Sequence, residues 1–284
     1  MLKLAITNAA PALTLQTDAL DSAAQIWRDS DGNICAYGNT SNGRHWMHLP
    51  NLASFCFSSG EQEVKAIAQL PPQPDLITDA YYRSVLPMAL QALGTEVLHA
   101  SGFVANRGVV AFCANSGTGK STLACGMNRR GYPLWGDDAI AFERSGAGIC
   151  SIPLPFSLRL QPDAVAYFGP HPHPVARVDR QSNCEDERLP LSALVVLRRT
   201  EMAGHSVVES ARLTPNQGFL KVLAHAYCFS LVDLKRKCLM ITNYIELVTR
   251  VPVYEVTFEG GVKNVPAILD CVEQLIHHVC AEAE

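Results

Sequence analysis

One segment constrains the fold more than any other. Residues 109–124 read Val-Val-Ala-Phe-Cys-Ala-Asn-Ser-Gly-Thr-Gly-Lys-Ser-Thr-Leu-Ala. The order predicts a buried strand over 109–113, a tight glycine turn, and a helix over 121–130. It follows the phosphate-binding pattern G-x-x-x-x-G-K-[ST], except that Ala114 stands in place of the first glycine. We therefore expect an α/β fold in which a strand ends at a phosphate-binding loop.

The residue types in this loop suit a nucleotide phosphate. Gly117 and Gly119 let the backbone curl so that successive N–H groups point at phosphate oxygens, and the following helix adds its positive dipole end. Lys120 is expected to reach the β- and γ-phosphates, and the Ser121 hydroxyl is expected to bind Mg²⁺. The predicted nucleotide-binding residues are Asn115, Ser116, Gly117, Thr118, Gly119, Lys120, Ser121 and Thr122. ATP and Mg²⁺ are the expected ligands.

Composition limits the classes of partner. The 284-residue chain has a net charge of −4, which argues against a general affinity for nucleic acid or anionic membranes. Its N-terminus lacks the pattern of a secretory signal, and no apolar run is long enough for a membrane span. The ten cysteines form no C-x-x-C pair, and those within apolar runs, such as Cys113 and Cys238, are interpreted as small buried hydrophobes in a cytoplasmic protein. The oligomeric state stays open, a homo-oligomer included.

Residues 1–74 differ in character from the rest and predict a small β-rich module. A hairpin is expected over residues 25–37 with Asp31-Gly32 in its turn. Further strands are expected at 45–48, 53–57 and 64–68, before a proline-rich linker that ends at residue 74. His45 and His48 are interpreted as strand surface residues rather than metal ligands, since no third ligand is evident. The second domain then spans residues 75–284.

Within the second domain, local signals predict several elements. A helix over residues 75–93 should be kinked or divided at Pro87. Strand 191–197 is expected to pair with residues 206–211. The run Thr214-Pro-Asn-Gln217 predicts a capping box with proline at the first helical position. In the next helix, an inward-facing seam is expected at positions 231, 234, 238, 241, 245 and 248.

The segment over residues 169–190 is polar, proline-rich and irregular. A loop of this length in a compact domain is usually functional or disordered. We expect it to contact the acceptor, because loops on a rigid scaffold commonly supply specificity. Its histidines, His171 and His173, are interpreted as part of a solvated loop rather than as metal ligands.

Two adjacent acidic residues, Asp137 and Asp138, follow the helix that comes after the loop. In Leu134-Trp-Gly-Asp-Asp138, two carboxylates come directly after a short strand, 17 and 18 residues beyond Lys120. One carboxylate of such a pair can approach Mg²⁺ while the other accepts a proton from an attacking hydroxyl. We place Asp137 at the metal together with Ser121. The spacing also predicts that the pair lies where the next strand emerges beside the loop.

Three motifs carry a resemblance to a known family. His99-Ala-Ser, Ser116-Gly-Thr-Gly-Lys-Ser121 and Arg130-Gly-Tyr-Pro-Leu-Trp-Gly-Asp-Asp138 resemble the C-terminal catalytic domain of HPr serine kinase/phosphorylase and the HPr-kinase-related proteins. The loop and the acidic pair are also similar to ATP-type phosphoenolpyruvate carboxykinase. The resemblance covers roughly residues 95–259. It implies a P-loop kinase domain of the HPr kinase C-terminal type with a mixed sheet, here preceded by the β-rich module.

The resemblance also implies roles for individual residues. It makes Asp138 the proton acceptor from a substrate serine, Lys120 a phosphate ligand and His99 an active-site partner that orients Asp138 or senses the γ-phosphate. Arg159 either neutralises charge on the transferring group or pairs with Asp163. Ser157 stands at the position of the family's metal-binding Glu, and Asp137 and Asp163 are the two candidates to replace that Glu.

These observations predict an ATP- and Mg²⁺-dependent kinase that phosphorylates a serine hydroxyl of a peptide or protein. Two alternatives stay open. One is a small-molecule kinase or carboxykinase-like enzyme, and the other is a nucleotide-dependent binding module with little turnover, which Ser157 favours.

Overall fold

The computed structural model describes residues 2–8, 23, 25–29, 31–69, 71–146, 148–169, 188–200, 208–229 and 233–281. The chain divides into two compact units. The first contains residues 1–95 and 227–239, and the second contains residues 96–226 and 240–284. These limits fall at different points from the boundary expected after residue 74. Most of the predicted acceptor loop, residues 170–187, lies outside the described residues, as do His171 and His173.

The first unit contains a six-stranded mixed sheet. Its strands are β1 (Lys3–Asn8), β2 (Gln25–Arg28), β3 (Ile34–Ser41), β4 (Arg44–Leu49), β5 (Ala53–Ser58) and β6 (Glu63–Ala68). The order is β1-β6-β5-β4-β3-β2, in which β1 runs parallel to β6 and the other neighbours are antiparallel. The predicted hairpin is confirmed, because β2 pairs with β3 and the Asp29 carboxylate accepts from the Asn33 N–H across the turn.

A helical segment of three parts packs against one face of this sheet. It consists of α1 (Pro74–Ala80), a π-helical turn (Tyr81–Val85) and α2 (Leu86–Ala92). The predicted division at Pro87 is confirmed, since proline lacks the N–H that a continuous α-helix needs there. Side chains of all three segments, among them the fully buried Tyr81, join the same apolar cluster as the sheet residue Phe55.

The second unit is built on a nine-stranded mixed sheet. Its strands are β7 (Glu96–Leu98), β8 (Ala100–Ala105), β9 (Gly108–Cys113), β10 (Leu134–Gly136), β11 (Ile140–Ser145), β12 (Gly148–Ile152), β13 (Leu189–Thr200), β14 (Glu209–Arg212) and β15 (Val253–Glu259). The main order is β10-β8-β9-β13-β12-β11-β7, and β15 pairs with both β13 and β14. The long strand β13 runs parallel to β9 and to β15, while β8 is antiparallel to β9.

Besides a short 3₁₀ helix (Val262–Asn264), five α-helices belong wholly or partly to this unit in the part of the chain that the structure describes. They are α3 (Lys120–Arg129), α4 (Pro162–Phe168), α5 (Pro215–Leu223), α6 (Leu234–Arg250, shared with the first unit) and α7 (Val265–Ala281). Helices α3 and α7 bury Leu123 and Leu269 in one cluster with Phe112, Val195 and Val256 of the sheet. Neighbouring strand residues point to opposite faces, so Val253, which contacts Gly218 of α5, belongs to the other face. No helix in the described ranges is both long enough and apolar enough to cross a bilayer.

The expected strand pairing is wrong, and the expected inward seam of α6 is confirmed only in part. Strand β14 pairs with β15 and not with the strand that contains residues 191–197. The buried residues of α6 are Met240, Tyr244, Leu247 and Val248, of which only Val248 belongs to the expected seam. Leu234 of that seam is 72% exposed and Ile245 is 49% exposed, while its position 231 lies outside the described residues. The spacing of four and three residues is helical, but neighbouring elements decide which stripe they cover.

Candidate active site

The predicted phosphate loop joins β9 to α3 in the described structure. Gly117 and Gly119 have φ angles of +79° and +121°, which side-chain-bearing residues rarely adopt. No atom lies within 4 Å of where a Cβ would stand at either position. Backbone conformation and not crowding therefore requires glycine here. Asn115, Ser116 and Gly117 are exposed, so the turn is accessible from solvent.

Lys120 is the first residue of α3 and folds back over the loop. Its Nζ donates to the carbonyl oxygens of Ala114 at 2.9 Å and Asn115 at 3.5 Å. The residue is 6% exposed, and burial lowers the pKa of its ammonium group, while the charges of Asp138 and Asp137 oppose that shift. A cation is thus held at the glycine turn beside two carboxylates.

Strand register brings the other predicted groups to this loop. Ala100 of β8 pairs with Cys113, the last residue of β9, so the residues that flank Ala100 lie where the loop begins. Strand β10 pairs with the far side of β8 and ends at Gly136, directly before the acidic pair. The pair therefore lies near the loop as expected, although β8 separates β10 from β9. Ligands of open α/β sheets bind at such carboxyl ends of parallel strands.

Asp137 accepts three hydrogen bonds within the site. Its Oδ1 accepts from Ser101 Oγ at 2.5 Å and from Ser121 Oγ at 2.8 Å, and its Oδ2 accepts from the Arg159 backbone N–H at 3.3 Å. It is 5% exposed. Burial and the neighbouring Asp138 raise the pKa of its carboxyl group, and the three hydrogen bonds act against that shift. The loop hydroxyl and a buried carboxylate are thereby joined directly.

Asp138 faces a different group from its neighbour. Its φ angle of +64° is left-handed, a conformation that Asp tolerates better than most residues. Its Oδ1 lies 4.0 Å from His99 Nε2. Burial, Lys120 and His225 lower the pKa of His99 to about 4, although the Asp138 charge opposes them. At neutral pH the imidazole in this contact is therefore uncharged.

The remaining predicted residues occupy less central positions. Arg159 reaches the site through its backbone, and its side chain is exposed. Thr118 lies within the loop, where its N–H donates to the Asn115 carbonyl at 3.3 Å. Thr122 lies half-buried in the first turn of α3. Asp163 belongs to the first turn of α4.

Sequence reasoning missed two residues of this site. Ser101 is fully buried and donates to Asp137, and its position two residues after His99 on a strand was the available signal. His225 follows α5, more than a hundred residues beyond His99, yet its carbonyl accepts from the His99 N–H at 2.7 Å. No local pattern marks His225, because a tertiary contact brings it here.

The oxygen ligands available here suit Mg²⁺. A carboxylate and a hydroxyl are hard ligands, and Mg²⁺ is usually held by one or two protein oxygens together with waters and substrate phosphates. Within the described ranges, no group of three or more His, Cys, Asp or Glu residues is arranged to hold a metal by itself. Ser121 and Asp137 therefore fit a metal that is shared with a phosphate ligand.

Comparison with known proteins gives distant structural similarity. No protein-family model matches the chain, and no curated protein matches it. Among solved structures, the chain is similar to the Hpr(Ser) kinase/phosphatase from Coxiella burnetii, with 13% identity and a TM-score of 0.35. The match covers 66% of this chain and 98% of that chain. A TM-score at this level does not establish a shared fold. Fold and site define a mixed α/β protein with a candidate phosphate-binding loop.

Proposed function

We propose that the chain is an ATP- and Mg²⁺-dependent kinase, with a P-loop kinase domain of the HPr kinase C-terminal type, that phosphorylates a serine hydroxyl of a peptide or protein. The observation that carries the proposal is the 2.8 Å hydrogen bond between Ser121 Oγ and Asp137 Oδ1 beside the glycine turn. In phosphate-loop enzymes, a Ser or Thr of the loop and an Asp from a neighbouring strand hold Mg²⁺ together. The two ligands already lie within reach of one ion.

The loop supplies the nucleotide site in this proposal. The exposed backbone of residues 115–119 and the N-terminus of α3 bind phosphate oxygens. Lys120 exchanges its hydrogen bonds to the loop carbonyls for the β- and γ-phosphates. Bound Mg·ATP supplies the phosphoryl group and part of the charge neutralisation that its transfer requires.

Asp138 is the general base of the proposed reaction. It accepts the proton of the acceptor hydroxyl, since it is not tied to Ser121 as Asp137 is. His99, uncharged at neutral pH, stands beside Asp138 and orients the carboxylate without forming an ion pair. The exposed Arg159 side chain neutralises charge on the transferring group.

The test is transfer of label from γ-labelled ATP. Purified protein is incubated with Mg·ATP and a serine-containing peptide library or a lysate, and the products are separated by size. Label on serine within a polypeptide supports the proposal, and label on a small molecule instead assigns a small-molecule kinase. If nucleotide binds but no label transfers, the chain is a nucleotide-dependent binding module.

A further inference from the structure

Two serine hydroxyls donate to the same oxygen of Asp137. Ser121 Oγ lies 2.8 Å from Asp137 Oδ1, and Ser101 Oγ lies 2.5 Å from the same atom. Ser121 stands in the first turn of α3 beside the glycine turn, whereas Ser101 belongs to strand β8 within the sheet. The kinase proposed above uses Ser121 as a metal ligand and gives Ser101 no role.

Ser101 is fixed by the strand that carries it. It is fully buried, and it pairs with Phe112 of β9 in the antiparallel ladder. Its neighbours in β8, Ala100 and Gly102, are buried as well. A hydrogen bond from a hydroxyl to a carboxylate is stronger than one between neutral groups, and a close-packed side chain has little freedom to leave it. The sheet therefore sets the position of Ser101 Oγ, and that atom holds Asp137 Oδ1.

The position of Asp137 explains why its carboxylate needs such support. Asp137 comes directly after the short strand β10, and its second oxygen, Oδ2, accepts a longer bond of 3.3 Å from the Arg159 backbone N–H. Groups that hydrogen-bond a metal-binding carboxylate orient it and support the affinity for the metal. We propose that Ser101 is a positioning residue that holds the Asp137 carboxylate in the orientation that binds the Mg²⁺ of a bound nucleotide. This inference rests on the nucleotide and metal binding proposed above, and it adds a residue that contacts neither ligand.

The proposal predicts that Ser101 supports only the metal-dependent part of nucleotide binding. Affinity for AMP-PNP, an ATP analogue that is not hydrolysed, is measured by isothermal titration calorimetry with excess Mg²⁺ and again with EDTA in place of the metal. Ser101→Ala should weaken binding in Mg²⁺ by roughly threefold to tenfold, as expected for the loss of one hydrogen bond, and change binding in EDTA less than about twofold. Ser101→Thr keeps a hydroxyl donor and should retain more of the affinity in Mg²⁺ than Ser101→Ala does.

Ser151→Ala is the matched control. Ser151 is also a fully buried serine of the second unit, and its hydroxyl is hydrogen-bonded to Trp135 Nε1 at 2.7 Å and to the Ala141 carbonyl at 3.1 Å. This variant loses a buried hydroxyl of the same kind from β12. It should bind AMP-PNP as the wild type does in both conditions.

The outcomes separate this inference from the proposed function. If Ser101→Ala binds AMP-PNP in Mg²⁺ as the wild type does, the inference is wrong and the nucleotide site stands. Equal loss of affinity with and without the metal gives Ser101 a structural role and also overturns the inference. Wild-type protein that binds AMP-PNP in neither condition overturns both proposals. Should Ser101→Ala not fold, Ser101→Cys offers only a weak S–H donor in a side chain of similar shape, and the same metal-dependent loss is expected.

Discussion

The two units bury histidine in different surroundings. In the first unit, His48 is 7% exposed, its Nδ1 lies 2.9 Å from Ser54 Oγ on the neighbouring strand, and its ring stacks on Tyr37 at 4.7 Å. The Nδ1 atom of His45 lies 2.9 Å from Thr40 Oγ1, and the His45 ring packs against Phe57. The expectation that these two histidines are surface residues is wrong for His48, which is buried, whereas His45 is half-buried.

In the second unit, His99 and His225 stand where strands and a helix end. Burial lowers the pKa of all four histidines, but only in this unit does the Lys120 charge add to the effect. His48 and His45 contact hydroxyl and aromatic partners, whereas His99 Nε2 lies 4.0 Å from the Asp138 carboxylate and the Lys120 charge contributes to the lowered pKa of His225. Buried histidines in paired strands therefore stabilise a sheet, while those at strand ends beside a cation can serve a ligand.

The largest expected effect concerns the second unit alone. Asp138→Asn keeps the size of the side chain but removes its ability to accept a proton, so the turnover rate should fall by roughly 10²-fold to 10⁴-fold. Affinity for Mg·AMP-PNP should change little. Single-turnover transfer of labelled phosphate and calorimetric binding measure the two quantities, with Asp31→Asn at an exposed turn of the first unit as control. An unchanged rate would remove Asp138 from the mechanism.

The next effect concerns the core of the first unit. Phe229 is 2% exposed, and its ring lies 5.4 Å from Phe57 and 5.9 Å from Trp27. Phe229→Ala should lower the free energy of unfolding by about 3–5 kcal/mol through lost burial and the cavity it leaves. Hydrogen exchange should accelerate in β3–β5 and stay slow in β9 and β13.

The matched control for Phe229 is Leu234→Ala, because Leu234 is 72% exposed in the same unit. This substitution should change the free energy of unfolding by no more than about 0.5 kcal/mol. If exchange accelerates equally in both sheets of the Phe229 variant, the units do not behave as separate cores.

A smaller effect should separate the two neighbouring acids. Asp137→Asn weakens the metal ligand that Ser121 shares, so the Mg²⁺ concentration for half-maximal rate should rise by roughly tenfold, equivalent to about 1.4 kcal/mol. Excess Mg²⁺ should restore part of the rate in this variant and none in Asp138→Asn. Metal rescue of the Asp138 variant alone would exchange the assigned roles.

The smallest expected effect is a change in the pKa of a histidine, which can be compared between the two units. Lys120→Met removes the cation, so the pKa of His99 should rise from about 4 and remain below 6.5, since burial is the larger cause. The pKa of His48, which burial alone lowers, should not change. Titration of the imidazole NMR signals measures both values. If the pKa values of His99 and His48 shift equally, or if the pKa of His99 does not shift, Lys120 does not act on the histidine of the second unit alone.

These pKa values also fix the sign of the pH dependence of stability. A histidine with a lowered folded-state pKa takes up its proton more readily in the unfolded chain. Stability should therefore fall as the pH drops below about 6.5, and for His99 the loss should continue towards pH 4. In Lys120→Met this contribution should be smaller, because the folded-state pKa lies closer to the unfolded one.

The sequence by itself determined features that act within a few residues. The positive φ angles of Gly117 and Gly119, the division of the helix before Pro87 and the reciprocal hydrogen bonds of the Thr214–Gln217 capping box all follow from local backbone chemistry. Helix α3 begins within one residue of its predicted start, because the loop and its last glycine define that start. Local steric and hydrogen-bonding rules need no knowledge of distant elements.

Tertiary structure alone decided the features that depend on distant partners. Cys238, expected to be buried, is exposed, while Cys113 is buried as expected, since the apolar run around each does not reveal which face is covered. The pairing of β14 with β15, the inward stripe of α6 and the meeting of His225 with His99 each join segments far apart in sequence. Such contacts form only where the whole unit buries apolar surface and satisfies its backbone hydrogen bonds, and many local patterns are compatible with either outcome.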